Sequence, residues 1–148
     1  MLMLLFYSGE DRFACTCEHI VEIIPPIKLK PIHHMPEYVS GSIIYGGKPL
    51  PIIDWCQMIR GTPCHFSFHT RMILFRISAQ DKIYEFGMMA EMVTKTMNVP
   101  KEAFVGSGVF IKEAPFLGGV LTDERGSIQF VEVEKLLDSI QTVICGIA

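Results

Sequence analysis

Cysteine and histidine are the side chains in this sequence with the most evident chemical potential. Thiolate sulfur and imidazole nitrogen are good ligands for zinc and copper. The sequence holds three local groups of them: Cys15-x-Cys17, His33-His34 and Cys64-His65-x3-His69. A tight zinc site usually combines two pairs of ligands that lie close together in sequence. Only the last of the three groups comes close to forming such a pair.

These groups allow two interpretations. In the first, Cys64, His65 and His69 act with His33 or His34 as a metal- or thiol-sensing module. In the second, which we favour, the same residues are structural and the protein has no metal site and no cofactor.

Cys15 and Cys17 fit the structural interpretation well. They alternate with Phe13 along a predicted strand, so the three side chains share one face and fill a core. The total of five cysteines is odd, which does not suit a closed disulfide framework. We therefore expect reduced thiols in a cytoplasmic protein.

The sequence shows no arrangement typical of an active site. A nucleophile needs a base beside it, and Ser107, between Gly106 and Gly108, lacks the strand-to-helix setting of a nucleophile elbow. The same loop lacks the lysine and helix that follow a phosphate-binding loop. We predict that the protein is not an enzyme.

Composition limits the classes of partner. The chain has 148 residues, of which 49% are hydrophobic and 20% charged, with a net charge of −3. An acidic globular chain without a long basic cluster argues against a nucleic-acid partner. The mean hydropathy is +0.34, yet the apolar run Met1–Tyr7 is far shorter than the roughly 20 residues that cross a bilayer. Charged residues follow it at once, so we expect neither a signal peptide nor membrane insertion.

Short apolar runs separated by turn residues predict an all-β protein with short helices. The predicted strands cover 1–7, 12–17, 39–45, 48–54, 71–78, 82–90, 116–122 and 127–133. Asp54 is the expected N-cap of a short helix that ends at Gly61, and a terminal helix is predicted over about 134–140. The segment 18–24 fits a helical turn or a bent strand, and 91–97 a bent amphipathic stretch.

The two halves of the chain show a weak internal repeat, in which Phe13 and Glu18 correspond to Phe86 and Glu91. Two copies of a five-strand unit predict a double β-barrel. We expect residues 1–148 to form a single domain made of these two subdomains.

The order of five segments resembles that of a known family. The segments are Phe13–Cys17 followed by Ile20–Ile24; the proline-rich stretch leading to Met35–Gly41; Ser42–Asp54; Gly87–Val93; and Phe116–Asp123 continuing to Leu137. Together they span nearly the whole chain, and they are similar to the CheW family of chemosensory adaptor proteins. Tyr45 and Thr70–Leu74 add a likeness to the divergent CheW-like members of Wsp-type surface-sensing systems.

This resemblance implies two small five-stranded, SH3-like β-barrels packed on a shared hydrophobic core, and it also implies a function. It implies a non-enzymatic adaptor that couples a chemoreceptor's helical hairpin tip to the regulatory domain of a CheA-type histidine kinase. By motif match, the kinase-binding candidates are Ile20, Glu22 and Gly41. The receptor-binding candidates are Tyr45, Gly46 and Lys48.

Each candidate also has a purely structural interpretation: a core residue, a solvated charge, or a glycine required by a bulge or turn. We expect Gly41→Asp to abolish kinase association while leaving the fold intact. One departure affects the receptor side. The family usually shows Asn-Leu-Arg-Gly in the hairpin, whereas this chain has Ile44–Gly47, which removes a bidentate donor for a receptor carboxylate.

Overall fold

The computed structural model describes residues 1–106 and 111–145, and in these ranges it has nine strands and two α-helices. The strands are β1 (Leu2–Ser8), β2 (Asp11–Thr16), β3 (Ile20–Ile24), β4 (Val39–Tyr45), β5 (Lys48–Asp54), β6 (Arg71–Ala79), β7 (Lys82–Asn98), β8 (Leu117–Asp123) and β9 (Gly126–Val131). The helices are α1 (Trp55–Arg60) and α2 (Val133–Cys145), and a short 3₁₀ turn covers Lys101–Ala103. No helix in the described ranges is long and apolar enough to span a bilayer.

The predicted all-β class is confirmed, and its strands fall into two groups of five that share one strand. Sheet A has the order β7-β1-β2-β9-β8, and sheet B the order β3-β6-β7-β5-β4. The predicted closure into barrels is not complete. Within the described residues, β8 does not pair with β7 and β4 does not pair with β3, so each sheet keeps two edges.

Strand β7 joins the two sheets. The sequence predicts a strand over 82–90 followed by a separate bent stretch, but the structure has one continuous strand of 17 residues. Its first part pairs with β6 and β5, and its second part pairs with β1. The predicted bend is present at Met92, whose φ of 49° is unusual for a residue other than glycine.

The internal repeat does not correspond to two consecutive barrels. Sheet A takes β1 and β2 from the first half of the chain and β8 and β9 from the second, joined by the parallel pair β2–β9. Sheet B takes β3, β4 and β5 from the first half and β6 and β7 from the second, joined by the parallel pair β5–β7. The two halves of the chain are therefore interleaved, which a repeat in the sequence does not reveal.

Strand β1 is apolar from Met3 to Phe6 because both of its faces are buried there. Met3 and Leu5 lie in the apolar interior of sheet A, whereas Leu4 and Phe6 point to the opposite face. This alternation follows from the two-residue period of a strand. Strand β6 alternates in the same way between the interior of sheet B and the space between the sheets.

The space between the sheets holds the largest group of buried side chains, which we call the central cluster. It contains residues of β1, β2, β5, β6, β7 and α2, together with Trp55. The Trp55 ring is fully buried, and its centroid lies 5.0 Å from that of Phe13, 5.6 Å from Phe6 and 5.7 Å from Phe116, each at a steep angle. Edge-to-face packing of this kind stabilises the fold beyond what the burial of apolar surface contributes.

Helix α1 positions Trp55 as the sequence predicts. The Asp54 Oδ1 accepts a hydrogen bond from the Gln57 backbone N–H at 3.0 Å, which caps the first turn. Gly61 ends the helix with a φ of 76°, and its N–H donates to the Gln57 carbonyl at 2.9 Å. Both predicted ends of this helix are confirmed.

Trp55→Ala is expected to lower the free energy of unfolding by about 3–5 kcal/mol, because it leaves a large cavity among aromatic rings that cannot fully collapse. Urea denaturation followed by far-UV circular dichroism measures this loss. The control is Phe68→Ala, since Phe68 is 93% exposed and its truncation should change stability by less than about 0.5 kcal/mol. Similar losses in both variants would contradict a central role for Trp55.

Candidate functional site

The sequence-predicted binding residues lie on or next to the two open edges of sheet B: Ile20 and Glu22 on β3, Gly41 and Tyr45 on β4, Gly46 in the turn after β4, and Lys48 at the start of β5. Among the strands of the described residues, β3 pairs only with β6, and β4 pairs only with β5. The sheet curls so that these edges approach each other, and contacts other than a ladder join them. We call this region, residues 20–24 and 39–48, the β3–β4 edge.

A side-chain hydrogen bond connects the kinase-binding and receptor-binding candidates. The Tyr45 hydroxyl donates to Glu22 Oε2 at 2.7 Å, across the gap between β4 and β3. This bond raises the pKa of the Tyr45 phenol, because a phenolate could not donate it and would face a carboxylate. The two predicted groups therefore form one continuous surface rather than two separate ones.

An ion pair lies beside the hydrogen bond between Tyr45 and Glu22. Arg76 of β6 and Glu85 of β7 are opposite each other in the ladder and form an ion pair of 3.2 Å. The Arg76 charge favours the phenolate form of Tyr45, and the Glu85 charge opposes it. The outer surface near Tyr45 is thus a small network of opposite charges rather than a strongly acidic or basic patch.

Gly41 has a structural function at the same edge. Lys30 and Ser42 exchange two backbone hydrogen bonds of 2.8 and 2.9 Å beside it. Gly41 has a φ of 147°, and a Cβ atom there would lie 2.5 Å from the Lys30 carbonyl oxygen. Any side chain at this position strains the bridge, so we expect Gly41→Asp to lower the stability of the fold as well as to affect kinase association.

Ile20 and its neighbours on β3 differ in exposure. Ile20 is half-buried and packs against the central cluster, which anchors β3. Val21 and Ile23 each remain 41% exposed, although both are apolar. These two residues were not identified from the sequence, but an isoleucine- and valine-rich strand with an exposed edge is a signal for a protein contact.

The hairpin after β4 opens onto a surface cavity of about 490 Å³. Gly46 and Gly47 form the turn with φ values of 59° and 81°, as a tight hairpin requires. Tyr45 and Lys48 line the cavity, whereas Gly46 does not. The other lining residues are Pro49, Leu50, Pro51, Lys82, Ile83, Tyr84, Glu85 and Ile144.

The structure does not bring the predicted metal ligands together. In the described ranges, the Cys64 sulfur clusters with Cys56 and Asp54, whereas His65 and His69 are exposed and belong to no such cluster. His33 and His34 are also exposed. Glu18, His19 and Glu134 form a second group of potential cation ligands at the surface, with their ligand atoms within 4.8 Å of one another.

Two other sequence interpretations concern cysteine and serine. Cys15 is buried in the central cluster, and Cys17 packs against it half-buried, which confirms their interpretation as core residues. Ser107 and Gly108 lie outside the described residues.

Comparisons with known proteins agree with this geometry. The family model of the CheW-like domain matches residues 2–141. The crystal structure of the scaffolding protein TtCheW from Thermoanaerobacter tengcongensis is similar, with a TM-score of 0.74 and 17% sequence identity. That similarity covers 88% of this chain and 82% of TtCheW, and at this identity it shows a shared fold. The comparison with curated protein sequences gives no match.

Glu22→Gln is expected to lower the pKa of Tyr45, because the neutral amide no longer opposes a phenolate at the hydroxyl position. An ultraviolet absorbance titration measures this as one phenol titrating at lower pH, and Tyr45→Phe identifies that phenol by removing it. The control is Glu10→Gln, an exposed charge in the β1–β2 turn. A Tyr45 titration unchanged by Glu22→Gln would show that the two side chains are not hydrogen-bonded in solution.

Gly41→Ala is expected to lower the free energy of unfolding by about 1–3 kcal/mol, since it places a side chain in a strained backbone conformation. Ser40→Ala is the matched control on the same strand and should be nearly neutral. Chemical denaturation of both variants checks this expectation, and equal stability of Gly41→Ala and the original protein would disprove it.

Proposed function

The chain belongs to the CheW-like domain family, and from this premise we propose that it is a non-enzymatic chemosensory adaptor of the cytoplasm. In this proposal it couples a chemoreceptor to a CheA-type histidine kinase. The observation that carries the proposal is the family match over residues 2–141, nearly the whole chain. TtCheW, which shares the fold, is named as a scaffolding protein.

The exposed part of β3 supports the kinase contact. Val21 and Ile23 present apolar side chains at a strand edge, and an edge strand offers unpaired backbone groups to a partner. Glu22 pairs with Leu74 and Ile23 with Ile73, so the carboxylate and the Ile23 side chain lie on opposite faces of the strand. A partner domain that adds along this edge can bury the apolar side chains on one face and place a cation near the carboxylate on the other.

The cavity beside the hairpin supports the receptor contact. Lys48 and Lys82 both line it, together with the exposed side chain of Ile83. The two ammonium groups can attract a receptor carboxylate in place of the arginine that the family usually has in the hairpin. An arginine can bind a carboxylate with two parallel hydrogen bonds, whereas a lysine acts as a point charge. We therefore expect this receptor contact to be weaker, or to depend less on the orientation of the carboxylate, than one made by an arginine.

The two contacts are tested with separate charge reversals. Glu22→Arg is expected to weaken binding to the regulatory domain of the CheA-type kinase at least about tenfold, which is about 1.4 kcal/mol. Lys48→Glu is expected to weaken binding to the receptor's cytoplasmic fragment and to leave kinase binding unchanged. Calorimetric titration with each purified partner measures both constants.

Two control variants show whether an effect on kinase binding comes from the charge at Glu22, from its hydrogen bond to Tyr45, or from a charge reversal anywhere on the surface. Tyr45→Phe removes the bond to Glu22 without changing charge, and Glu124→Arg reverses a charge in the β8–β9 turn of sheet A. Neither control should alter kinase binding as much as Glu22→Arg. If the original protein binds neither partner, the adaptor proposal is wrong; if Glu22→Arg binds the kinase normally, only the assigned surface is wrong.

A further inference from the structure

Cys56 and Cys64 form a buried pair of thiols that the adaptor proposal does not use. Their sulfur atoms lie 3.0 Å apart, although eight positions separate them in the chain. Cys56 is fully buried in the first turn of α1, and Cys64 lies in the loop that follows. Both belong to the apolar interior of sheet B.

Backbone hydrogen bonds hold Cys64 in this place. Its N–H donates to the Asp54 carboxylate, at 3.0 Å to Oδ2 and 3.2 Å to Oδ1. The next N–H, of His65, donates to Glu91 Oε2 at 2.5 Å. Two carboxylates on separate elements thus fix the loop so that its cysteine faces α1.

The distance between the sulfurs favours a covalent bond over a shared metal. A zinc–sulfur bond is about 2.3 Å long, so two thiolates on one tetrahedral zinc lie about 3.8 Å apart. The sulfurs of Cys56 and Cys64 are closer than that and need approach by only about 1 Å to reach the disulfide length of about 2.05 Å. The Asp54 oxygens, the third potential ligand, already accept backbone hydrogen bonds.

The surroundings distinguish the two thiols. The Cys64 S–H donates to the Cys56 sulfur, which lowers the pKa of Cys56 against the opposing effects of burial and of the Glu91 charge, and Ser8 and Arg60 also lower it. The same contact, with burial, raises the pKa of Cys64. Cys56 is therefore the thiol of the pair that ionises more readily, and the thiolate is the form that reacts.

We propose that Cys56 and Cys64 are a modification site at which a peroxide oxidises the pair to a reversible intramolecular disulfide. The Cys56 thiolate attacks one peroxide oxygen, the O–O bond breaks, and Cys56 becomes a sulfenic acid. The other peroxide oxygen leaves as hydroxide and takes up the proton that Cys56 released on ionisation, which gives the first water. The Cys64 sulfur then attacks the Cys56 sulfur, the S–O bond breaks, and a second water leaves with the Cys64 proton. In total, two thiols and one hydrogen peroxide give one disulfide and two waters, and a dithiol reduces the disulfide to the two thiols again.

The bridge would tie the loop over residues 62–70 covalently to α1. This loop carries Phe66 and Phe68, which are both strongly exposed. Its hydrogen bonds include those within the loop and those to the Asp54 and Glu91 carboxylates. Closing a loop in this way removes conformations from the unfolded chain. We therefore expect a higher melting temperature after oxidation, reversed by dithiothreitol.

Peptide mapping of the full-length protein tests the proposal. The folded protein is treated with hydrogen peroxide, free thiols are blocked with N-ethylmaleimide, and the chain is cut with trypsin. Cleavage after Arg60 places Cys56 in peptide 29–60 and Cys64 in peptide 61–71. We expect these two peptides to be joined, with the loss of two hydrogens, and to separate after reduction.

Single-cysteine variants identify the order of the steps. Cys64→Ser should accumulate a sulfenic acid at Cys56 that dimedone traps, whereas Cys56→Ser should give neither this adduct nor the bridge. Cys17→Ser is the matched control and should keep the bridge. Peptide mapping of the original protein already tests for the bridge, because the two joined peptides have a defined mass. The proposal therefore stays testable even if one of these variants does not fold.

Two results would overturn the proposal. One is a bridge that joins other cysteines of the folded protein, such as Cys15 to Cys17. The other is recovery of both Cys56 and Cys64 as free thiols at a peroxide concentration that oxidises Cys17. Neither result depends on kinase or receptor binding, so failure here is distinct from failure of the adaptor proposal.

Discussion

Strand β7 is the constraint on which the rest of the structure depends. Its 17 residues supply a central strand to sheet B and an edge strand to sheet A. The change of direction occurs at Met92, where a positive φ in a residue other than glycine costs of order 1–3 kcal/mol. Backbone pairing on either side of Met92 holds this conformation, so the two sheets share one strand at a fixed angle.

The open edges of sheet B follow from the same arrangement. Pairing with β7 places β5 and β6 in the middle of the sheet and leaves β3 and β4 at its ends. The backbone bridge between Lys30 and Ser42 holds the connection that follows β3 against β4 beside Gly41, and the Tyr45–Glu22 hydrogen bond joins the two strands without a ladder. A surface formed in this way exposes side chains and backbone of two strands at once, which suits protein recognition better than small-molecule chemistry.

The sequence predicts the local features well, because they depend on a few adjacent residues. The Asp54 cap, the end of α1 at Gly61 and the Gly46–Gly47 turn are all confirmed, since each is set by chemistry within one turn of chain. The interleaving of the two halves is not predictable in this way. It arises from the parallel pairs β2–β9 and β5–β7. The paired strands lie far apart in sequence, so the local pattern of apolar and turn residues does not show which strands pair.

The candidate site shows the same limit. Motif resemblance identifies Glu22 and Tyr45, but only the fold shows that they touch, because β3 and β4 are joined by an irregular proline-rich connection. Likewise the sequence pairs Cys64 with the nearby histidines by spacing. The structure pairs it with Cys56, since the Asp54 and Glu91 carboxylates orient the loop backbone and leave His65 and His69 in solvent.

Consecutive residues at the start of helix α1 contact different parts of the molecule. Asp54 ends β5 and caps the helix, Trp55 enters the central cluster, and Cys56 enters the interior of sheet B. Arg60 at the other end donates to Ser8 of β1 at 2.7 Å. Because this helix contacts both sheets, and its first residue continues the strand that pairs with β4, it connects the β3–β4 edge to the core. Coupling between two sites of a protein is carried by such packed elements, so an adaptor that transmits a change from one partner to another needs a connection of this kind.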